Sequence, residues 1–391
     1  MREGWKYKKL KDVASLITDG DWIESRHQSE SGIRLIQTGN VGNGIFKAKD
    51  DKPHYISEDT FLELGCTEIF RGDCLVSRLP EPVGRACIIP EVGCRMITAV
   101  DCTIIRFKDC VLPKLFVYYT RSKQYKREID NSTTGTTRKR ISRKNLESVS
   151  IPLLPVDEQN KIVAELDLLT EIIDKQKQQL KELDTLAQSI FYDMFGNPDT
   201  NSKGWLVKKL GELCKSDLGK TLNASKDTGK MRPYLCAINI HWNEIDLSTL
   251  KQTKFEDEEL ERYSVVKGDL LVCEGGDVGR SAIWKEDKVI QYQNALHRIR
   301  FGKEIIAIYC LFVLQYLKVN GILDGRYGKG VTIKHLVKSS LLSIPIPVPP
   351  IEFQREFADK IQSIEAQKES INRSIAESQK LFDYTMDKYF G

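Results

Sequence analysis

Two segments of the 391-residue chain concentrate cationic side chains together with glycine and hydroxyl groups. The first reads NSTTGTTRKRISRKN over 131–145, and the second reads GRYGKGVTIKHLVK over 325–338. Phosphate oxygens accept hydrogen bonds from hydroxyls, backbone N–H groups, Arg and Lys alike, so both segments fit a nucleic-acid backbone. A solvated basic loop is the alternative for either one, and its recurrence in both halves of the chain weakens that alternative. The candidate phosphate contacts are Thr136, Thr137, Arg138, Lys139, Arg140, Arg143 and Lys144 in the first segment, and Arg326, Lys329, Lys334 and Lys338 in the second.

Further polar residues could contact DNA from other loops. Arg78 and Arg85 flank the loop 79–84, and Arg280 follows the sequence Glu-Gly-Gly-Asp in the second half. In the major groove, Asn and Gln can read adenine and Arg can read guanine. On that ground the candidate base readers are Gln37, Asn40, Asn43 and Asn239.

The motifs of common enzymes are missing from the sequence. Gly219-Lys220-Thr221 resembles the end of a phosphate-binding loop, but Cys214 stands where the first glycine belongs. The glycines of 39–44 lack the order of a dinucleotide site. Neither G-x-S-x-G nor H-E-x-x-H occurs, and the ten cysteines form no C-x-x-C pair. We therefore predict that this chain catalyses nothing and binds no metal.

A tandem duplication positions the two basic segments. Ile151–Gly196 returns 195 residues later as Ile346–Gly391, with proline, glutamine and the closing Phe-Gly in register. Three shorter motifs also occur in both halves: a Gly-Asp turn leading into a strand, Val-Gly-Arg, and Ile-Arg-Phe. The duplication predicts two globular domains of one fold, each followed by a long helix.

Each long repeat predicts an amphipathic rod. The first one has no glycine or proline between Pro155 and Gly196, and its apolar residues step by three, four or seven. Such spacing indicates a seam against a partner helix, and the repeat is the partner of matching length, although a second molecule could also supply one. A coiled coil that only dimerises the protein is the alternative. The predicted seam and partner-docking residues are Ile162, Leu166, Leu169, Ile173, Leu180 and Leu183 in the first rod, and Phe357, Ile361, Ile364, Ile371, Ile375 and Phe382 in the second.

Net charge and the distribution of apolar residues bear on the partners and the cellular location of the protein. The net charge of +4 is too small to indicate a nucleic-acid partner by itself, so charge has to be examined locally. No apolar run approaches the roughly 18 to 20 residues of a membrane span, and the opening sequence MREGWKYKKL has no secretory-signal core. We expect a cytoplasmic protein without membrane contact.

Together these motifs resemble the specificity subunit of type I restriction–modification systems over essentially the whole chain. The resemblance rests on the W-x-x-K-K-L openings, G-D-x-L-V, V-G-R, the glycine–threonine basic stretch, and I-P-x-x-P-x-x-x-Q before each rod. The second rod departs from the family pattern, because Glu352-Phe353-Gln354 stands where Glu-Gln is usual. The implied fold is α/β (α+β): target-recognition domains in tandem duplication, separated by two long antiparallel coiled-coil α-helices. The expected parts are a first domain at 1–151, a spacer helix at 152–196, a linker at 197–204, a second domain at 205–346 and a second helix at 347–391.

The resemblance also implies a function. Each domain would read one half of a bipartite double-stranded DNA target, and the helices would set the spacer, about one DNA turn. They would also dock two methyltransferase subunits, which use S-adenosylmethionine to methylate adenine. Two restriction–translocase subunits, which use ATP and Mg, would join, while this chain would bind no cofactor itself. A duplicated coiled-coil scaffold that binds proteins is the main alternative, and an independent nuclease or methyltransferase with an unrecognised site is a distant third.

Overall fold

The computed structural model describes residues 5–135, 139–223, 225, 227–330 and 334–391. Contacts divide these residues into two units. The first unit runs to Lys177 and also takes in Arg373–Gly391, and the second unit is Gln178–Asn372. Each unit therefore holds one globular domain with part of each long helix.

The first domain alternates short strands with short helices. In chain order its elements are β1 Lys6–Lys9, α1 Leu10–Val13, β2 Ala14–Asp19, a 3-10 turn Ser25–His27, β3 Gln28–Ser29, β4 Ile33–Ile36, a 3-10 turn Thr38–Asn40, β5 Tyr55–Ile56, α2 Glu58–Leu64, β6 Glu68–Ile69, β7 Cys74–Ser77, β8 Ala86–Ile88, β9 Met96–Thr98, β10 Cys102–Phe107, α3 Pro113–Tyr119, α4 Lys123–Ser132, β11 Thr133–Thr134, β12 Arg140–Ile141, α5 Arg143–Glu147 and β13 Ser150–Leu153. The long helix α6, Val156–Phe195, follows.

Two sheets form the body of the first domain. One has the strand order β2-β10-β7-β8 and the other β3-β5-β4-β9-β6. Successive residues of β7 point to opposite faces, as the pleat requires. Cys74 and Val76 join the core that includes the helices, whereas Leu75 joins the core shared with the second sheet. The first sheet is therefore a buried middle layer, which explains why all four residues of β7 are buried.

The second domain has a closely similar series of elements. In chain order these are β14 Leu206–Lys209, α7 Leu210–Leu213, β15 Cys214–Leu218, β16 Lys230–Leu235, a 3-10 turn Ala237–Asn239, β17 Ile240–His241, β18 Glu244–Ile245, β19 Lys251–Phe255, a 3-10 turn Asp257–Glu259, β20 Ser264–Val265, β21 Leu270–Cys273, β22 Ser281–Ile283, β23 Ile290–Tyr292, β24 Leu296–Phe301, α8 Ala307–Val319, a π-helical turn Leu323–Tyr327, α9 Lys338–Leu342 and β25 Pro345–Val348. The second long helix, α10, is Ile351–Phe390.

The middle sheet of the second domain repeats the order seen in the first, and its outer sheet has four strands where the first domain has five. The middle sheet is β15-β24-β21-β22, and the outer sheet is β19-β16-β23-β20. In each domain the opening strand pairs with the strand that precedes the long helix, β1 with β13 and β14 with β25. The repeated W-x-x-K-K-L and I-P motifs therefore have a shared structural role, because their strands pair with each other just before each long helix begins.

Within the first unit, the beginning of α6 packs against the end of α10. Tyr389 Oη donates a hydrogen bond of 2.6 Å to Glu165 Oε2, and Gln176 Nε2 donates one of 2.7 Å to Ser374 Oγ. An early residue of one helix thus meets a late residue of the other, so the pair is antiparallel. Buried apolar residues fill this contact and continue into the core of the domain; they are Ile162, Leu166, Leu169, Ile173, Phe382, Met386 and Phe390, with Ile375 partly buried beside them.

The second unit contains the reciprocal pair. Lys368 Nζ lies 2.8 Å from Asp184 Oδ1, and the Phe195 and Phe357 rings pack edge to face at 5.3 Å. Phe357, Ile361 and Ile364 are buried in the core of this unit, and Leu183 packs against it. Leu180 and Ile371 are only partly buried, so the predicted seam is weaker there. In both units the seam is closed by helices of the same chain.

Candidate nucleic-acid interface

In the first domain, several loops leave the sheets at one edge. Strands β2 and β7 end at this edge, and their neighbours β10 and β8 begin there. The parallel strands β4 and β9 also end there, where Ala99 N donates to Ile36 O at 2.9 Å. The loops that follow Asp19, Ile36, Ser77 and Thr98 are therefore neighbours. We call this end of the first domain the loop edge.

The first basic segment joins the loop edge. Ile141 N donates to Arg78 O at 3.2 Å. Arg140 Nη2 lies 2.8 Å from Asp101 Oδ1, and Arg143 Nη1 lies 3.9 Å from an oxygen of Asp19. The structure thus brings sequence positions 19, 78, 101 and 140–143 together. The predicted contacts Thr136, Thr137 and Arg138 lie outside the described residues.

Acidic neighbours reduce the positive charge of this segment. The side chains of Arg140 and Arg143 are 47% and 46% exposed while they contact Asp101, Asp19 and Glu147. Lys139 and Lys144 are exposed. In the part of the chain that the structure describes, neither lysine forms an ion pair. The cations most available to a phosphate are therefore these two lysines.

Three of the predicted arginine contacts have partners inside their domains. Arg78 is buried, donates to Val100 O at 2.5 Å and lies 3.4 Å from Asp19, and its burial lowers its pKa. Arg85 is also buried and donates to four backbone carbonyl oxygens, those of Thr38, Val41, Leu79 and Pro82. Arg280 holds the matching turn of the second domain through Ala237 O at 2.7 Å. These guanidinium groups stabilise the loops, so we leave them out of the proposed DNA surface.

Two predicted base readers have a similar structural role. The Asn40 side chain accepts from Gln37 N at 2.9 Å and donates to Lys47 O at 2.8 Å. In the second domain, buried Asn239 accepts from Cys236 N at 3.0 Å and donates to Asp246 O at 3.0 Å. Both amides close a 3-10 turn and are occupied within the domain. Two other candidates have more accessible side chains; they are Gln37, partly buried, and Asn43, exposed.

The second domain has the same loop edge. Leu336 N donates to Glu274 O at 2.6 Å, and Glu274 N donates to Ala295 O at 2.9 Å. These bonds repeat those of the first domain, where Ile141 N donates to Arg78 O and Arg78 N to Asp101 O. Because these hydrogen bonds correspond, they show which residues of the two domains occupy matching positions where the sequences alone do not. The matched pairs are Arg78 with Glu274, Arg140 with His335, and Arg143 with Lys338.

The cations of the second domain are distributed differently. Arg326 forms a 2.5 Å ion pair with Asp199, which lies in the linker. Lys338 lies 3.7 Å from Asp217. Lys329 is exposed and Lys334 is partly buried. This edge therefore has fewer arginines than the first one.

Residues of the repeated motifs form hydrogen bonds inside each unit. The aspartate of each Gly-Asp turn is nearly buried and accepts two hydrogen bonds from the arginine of Ile-Arg-Phe, with Arg106 on Asp73 and Arg300 on Asp269. Each conserved helix-start glutamine is fully buried. Gln159 bonds Leu112 N and the carbonyls of Cys110 and Leu154, and Gln354 makes the matching set of three bonds. The duplication thus preserved the framework.

One exposed residue at the first loop edge escaped the sequence analysis. Trp22 is 68% exposed and lies three residues beyond the end of strand β2. A single tryptophan belongs to no periodic pattern or motif, so the sequence carries no signal for it. Its position at the loop edge is visible only in the structure.

Within the described ranges, no three His, Cys, Asp or Glu side chains are grouped so that they could hold a metal ion. In the same ranges, no helix is long and apolar enough to cross a membrane.

The fold and the two loop edges define a class of protein: a duplicated α/β binding protein whose domains are joined by antiparallel helices. Comparison with known proteins then identifies the family. The family model described as "Type I restriction modification DNA specificity domain" matches twice, at residues 2–185 and 202–378. The chain belongs to this family.

Relatives and solved structures agree with this membership. The chain is 20% identical to the EcoKI specificity subunit of Escherichia coli strain K12, over 95% of this chain and 84% of that protein. It is 24% identical to the Escherichia coli EcoBI specificity subunit, over 66% of this chain and 60% of that one. The S subunit structure from M. genitalium superposes with a TM-score of 0.55 at 14% identity, over 100% of this chain and 98% of that one. A chain from a study of type I R-M complex assembly and conformational transition gives 0.62 at 19% identity, with the same two coverages. At these identities the structures establish the fold alone.

Proposed function

We propose that the chain is the DNA-sequence-specificity subunit of a type I restriction–modification complex. Each domain reads one half of a bipartite double-stranded DNA target through its loop edge. The observation that carries the proposal is the repetition of this edge, with a cation-bearing segment bonded to the same place in both domains of a chain from this family. Two similar platforms with different side chains suit two different half-sites.

The phosphate contacts of the first domain are Lys139, Lys144, Arg140 and Arg143. Lysine and arginine on the DNA backbone supply affinity without sequence information, whereas contacts to base edges specify sequence. Arg140 and Arg143 exchange their acidic partners for phosphate on binding. Their net contribution is therefore smaller than that of the two unpaired lysines.

The long helices set the spacing between half-sites and carry the docking surfaces for two methyltransferase subunits. Their buried seams support the spacer part of this proposal, since a pair of long helices packs into the core of each domain. Two restriction–translocase subunits complete the assembly. The chain itself catalyses nothing; S-adenosylmethionine belongs to the methyltransferase, and ATP with Mg belongs to the translocase.

The experiment is to map adenine methylation in DNA exposed to the complex of this chain with its methyltransferase. A bipartite motif is expected. Exchange of 205–345 for the matching part of another family member should change one half of that motif and leave the other half intact. An unchanged motif after the exchange would overturn the two-reader proposal. A scaffold protein would show neither a motif nor salt-dependent DNA binding.

A further inference from the structure

Trp22 is an exposed aromatic residue among the cations of the first loop edge. Val100 N donates to Asp21 O at 2.9 Å, so Trp22 adjoins the turn that carries Asp101, the partner of Arg140. On its other side, Asp19 contacts Arg143. Trp22 therefore lies at the same loop edge as the phosphate contacts proposed above.

The turn that presents Trp22 is rigid. Asp21 N donates to Thr98 O at 2.8 Å, and Asp21 Oδ2 accepts from Thr67 N at 2.8 Å. Gly20 packs so closely that an added Cβ would lie 2.2 Å from Thr98 O, a distance that only glycine tolerates. The backbone on which Trp22 stands is thus fixed before any ligand arrives.

The Trp22 side chain itself is scarcely used in the fold. Its Nε1 donates to Glu24 Oε1 at 3.4 Å, the long end of the hydrogen-bond range, and the ring remains largely in water. Large aromatic side chains gain by burial. An exposed indole on a hydrogen-bonded turn, at the same loop edge as Arg140 and Arg143, is suited to a ligand that combines phosphates with apolar base surfaces.

The second domain lacks this feature. Asp21 forms a bridge with Ala99, and the matching bridge joins Lys220 to Gln293, so the counterpart of Trp22 is Thr221. The second loop edge instead exposes Ile238, 54% accessible, on its 3-10 turn. The two edges thus offer apolar contacts of different size at different places.

We propose that Trp22 is a specificity-determining residue of the first domain, whose indole ring contacts the bases of the half-site that this domain reads. The proposal rests on the proposed function and names one contact within it. The cations of the loop edge hold phosphates, and the indole makes apolar contact with base edges, such as the methyl group of thymine. Loss of the ring therefore reduces sequence discrimination and leaves the electrostatic part of binding unchanged.

The test uses the assembled complex of this chain with its methyltransferase, and DNA duplexes that carry the mapped target or a change in either half. Trp22→Ala should reduce discrimination against changes in the first half-site by about tenfold, the scale of one base contact. Trp22→Phe should retain part of it. Discrimination at the second half-site and the salt dependence of binding should match those of the unmodified complex, which also shows that the variant folds.

Equal discrimination by Trp22→Ala and the unmodified complex would overturn the inference. So would a loss spread equally over both half-sites, or a failure of the variant to assemble with the methyltransferase in the absence of DNA, which would make Trp22 a protein contact. In each of these cases the proposed function stands if Lys139→Ala still lowers the salt dependence. Absence of any target preference in the unmodified complex would instead remove the proposed function.

Discussion

The two domains are alike in the interior and different at the loop edge. Inside, the same strand order of the middle sheet, the same Asp–Arg pairs and the same buried glutamines recur. At the edge, the side chains at matched positions differ. Arg78 of the first domain corresponds to Glu274 of the second, and Arg140 corresponds to His335. The backbone hydrogen bonds from Ile141 to Arg78 and from Leu336 to Glu274 correspond in the two domains. The comparison teaches that the surface side chains differ while the framework is retained, so matched variants can separate their contributions.

The helix contacts offer the largest expected difference between the units. Phe357 is fully buried against the rings of Phe191, Phe195 and Phe312, whereas its counterpart, the smaller Ile162, is buried in the core of the first unit. Phe357→Ala should destabilise the second unit by about 4 kcal/mol, and Ile162→Ala should destabilise the first by about 3 kcal/mol. Hydrogen exchange of peptides from each unit measures both losses separately. Phe357→Leu is the milder control, and losses below about 1 kcal/mol for both alanine variants would contradict the cores described here.

The helix-start glutamines should behave alike. Gln159→Leu and Gln354→Leu each remove three hydrogen bonds to backbone groups that are buried or partly buried, which we expect to cost about 2 to 3 kcal/mol in the unit concerned. The same exchange measurement applies. Gln176→Leu is the control, because that partly buried side chain donates one hydrogen bond, to Ser374, and should cost under about 1 kcal/mol. A large loss in one unit only would show that the two helix starts are not equivalent.

His297 should make the stability of the second unit pH-dependent. It is fully buried, its Nε2 pairs with Leu336 O at 2.8 Å, and its Nδ1 has no hydrogen-bond partner among the described residues. Burial lowers its pKa, so the folded state resists protonation while the unfolded state takes up a proton below its usual pKa of about 6.5. Stability should therefore fall as the pH drops below about 6.5, by at most about 1.4 kcal/mol per pH unit, until the folded pKa is reached.

The first domain carries Thr103 at the position of His297, as the strand registers of β10 and β24 show. His297→Thr therefore serves as the matched variant, and thermal unfolding at a series of pH values compares it with the unmodified chain. The variant should lose this part of the pH dependence. An unchanged profile would assign the acid sensitivity to other groups.

The smallest effects concern the exposed cations. Lys139→Ala and Lys144→Ala should each lower the slope of log affinity against log salt by about 0.9, and Arg140→Ala by less, because Asp101 already neutralises part of its charge. Lys329→Ala gives the comparison in the second domain. DNA binding of the assembled complex, titrated over a range of salt concentrations, measures all four slopes. If Arg140→Ala had the largest effect, its ion pair would not persist in the free protein.

Sequence reasoning recovered features that repeat along the chain. The antiparallel helices were predictable because residues such as Leu166 and Ile361 recur at helical spacing, and tandem domains followed from the duplication. The comparisons and the fold confirm the family and the fold class. Which residues read DNA stays a prediction.

Pair contacts between distant positions were beyond sequence reasoning. Asp73 and Arg106 stand 33 positions apart, and nothing in either motif indicates that the two side chains meet. Asn40 illustrates the complementary difficulty, because an amide that could read adenine serves equally well to close a turn. Residue type defines what a side chain can do, and burial decides whether its polar atoms are still available.

The aromatic contacts at the ends of the long helices have a consequence for the order in which the halves are connected. In the first unit the Trp5 ring lies edge-on to Phe390, with centroids 6.2 Å apart. In the second, Trp205 Nε1 donates to Phe195 O at 3.3 Å, and residues 196–204 bridge the two. A peptide like 196–204 placed between Gly391 and Trp5 would span the matching junction. A chain opened within 197–204 would then keep the strand pairings and helix contacts of both units, so the architecture is cyclic and either half can come first.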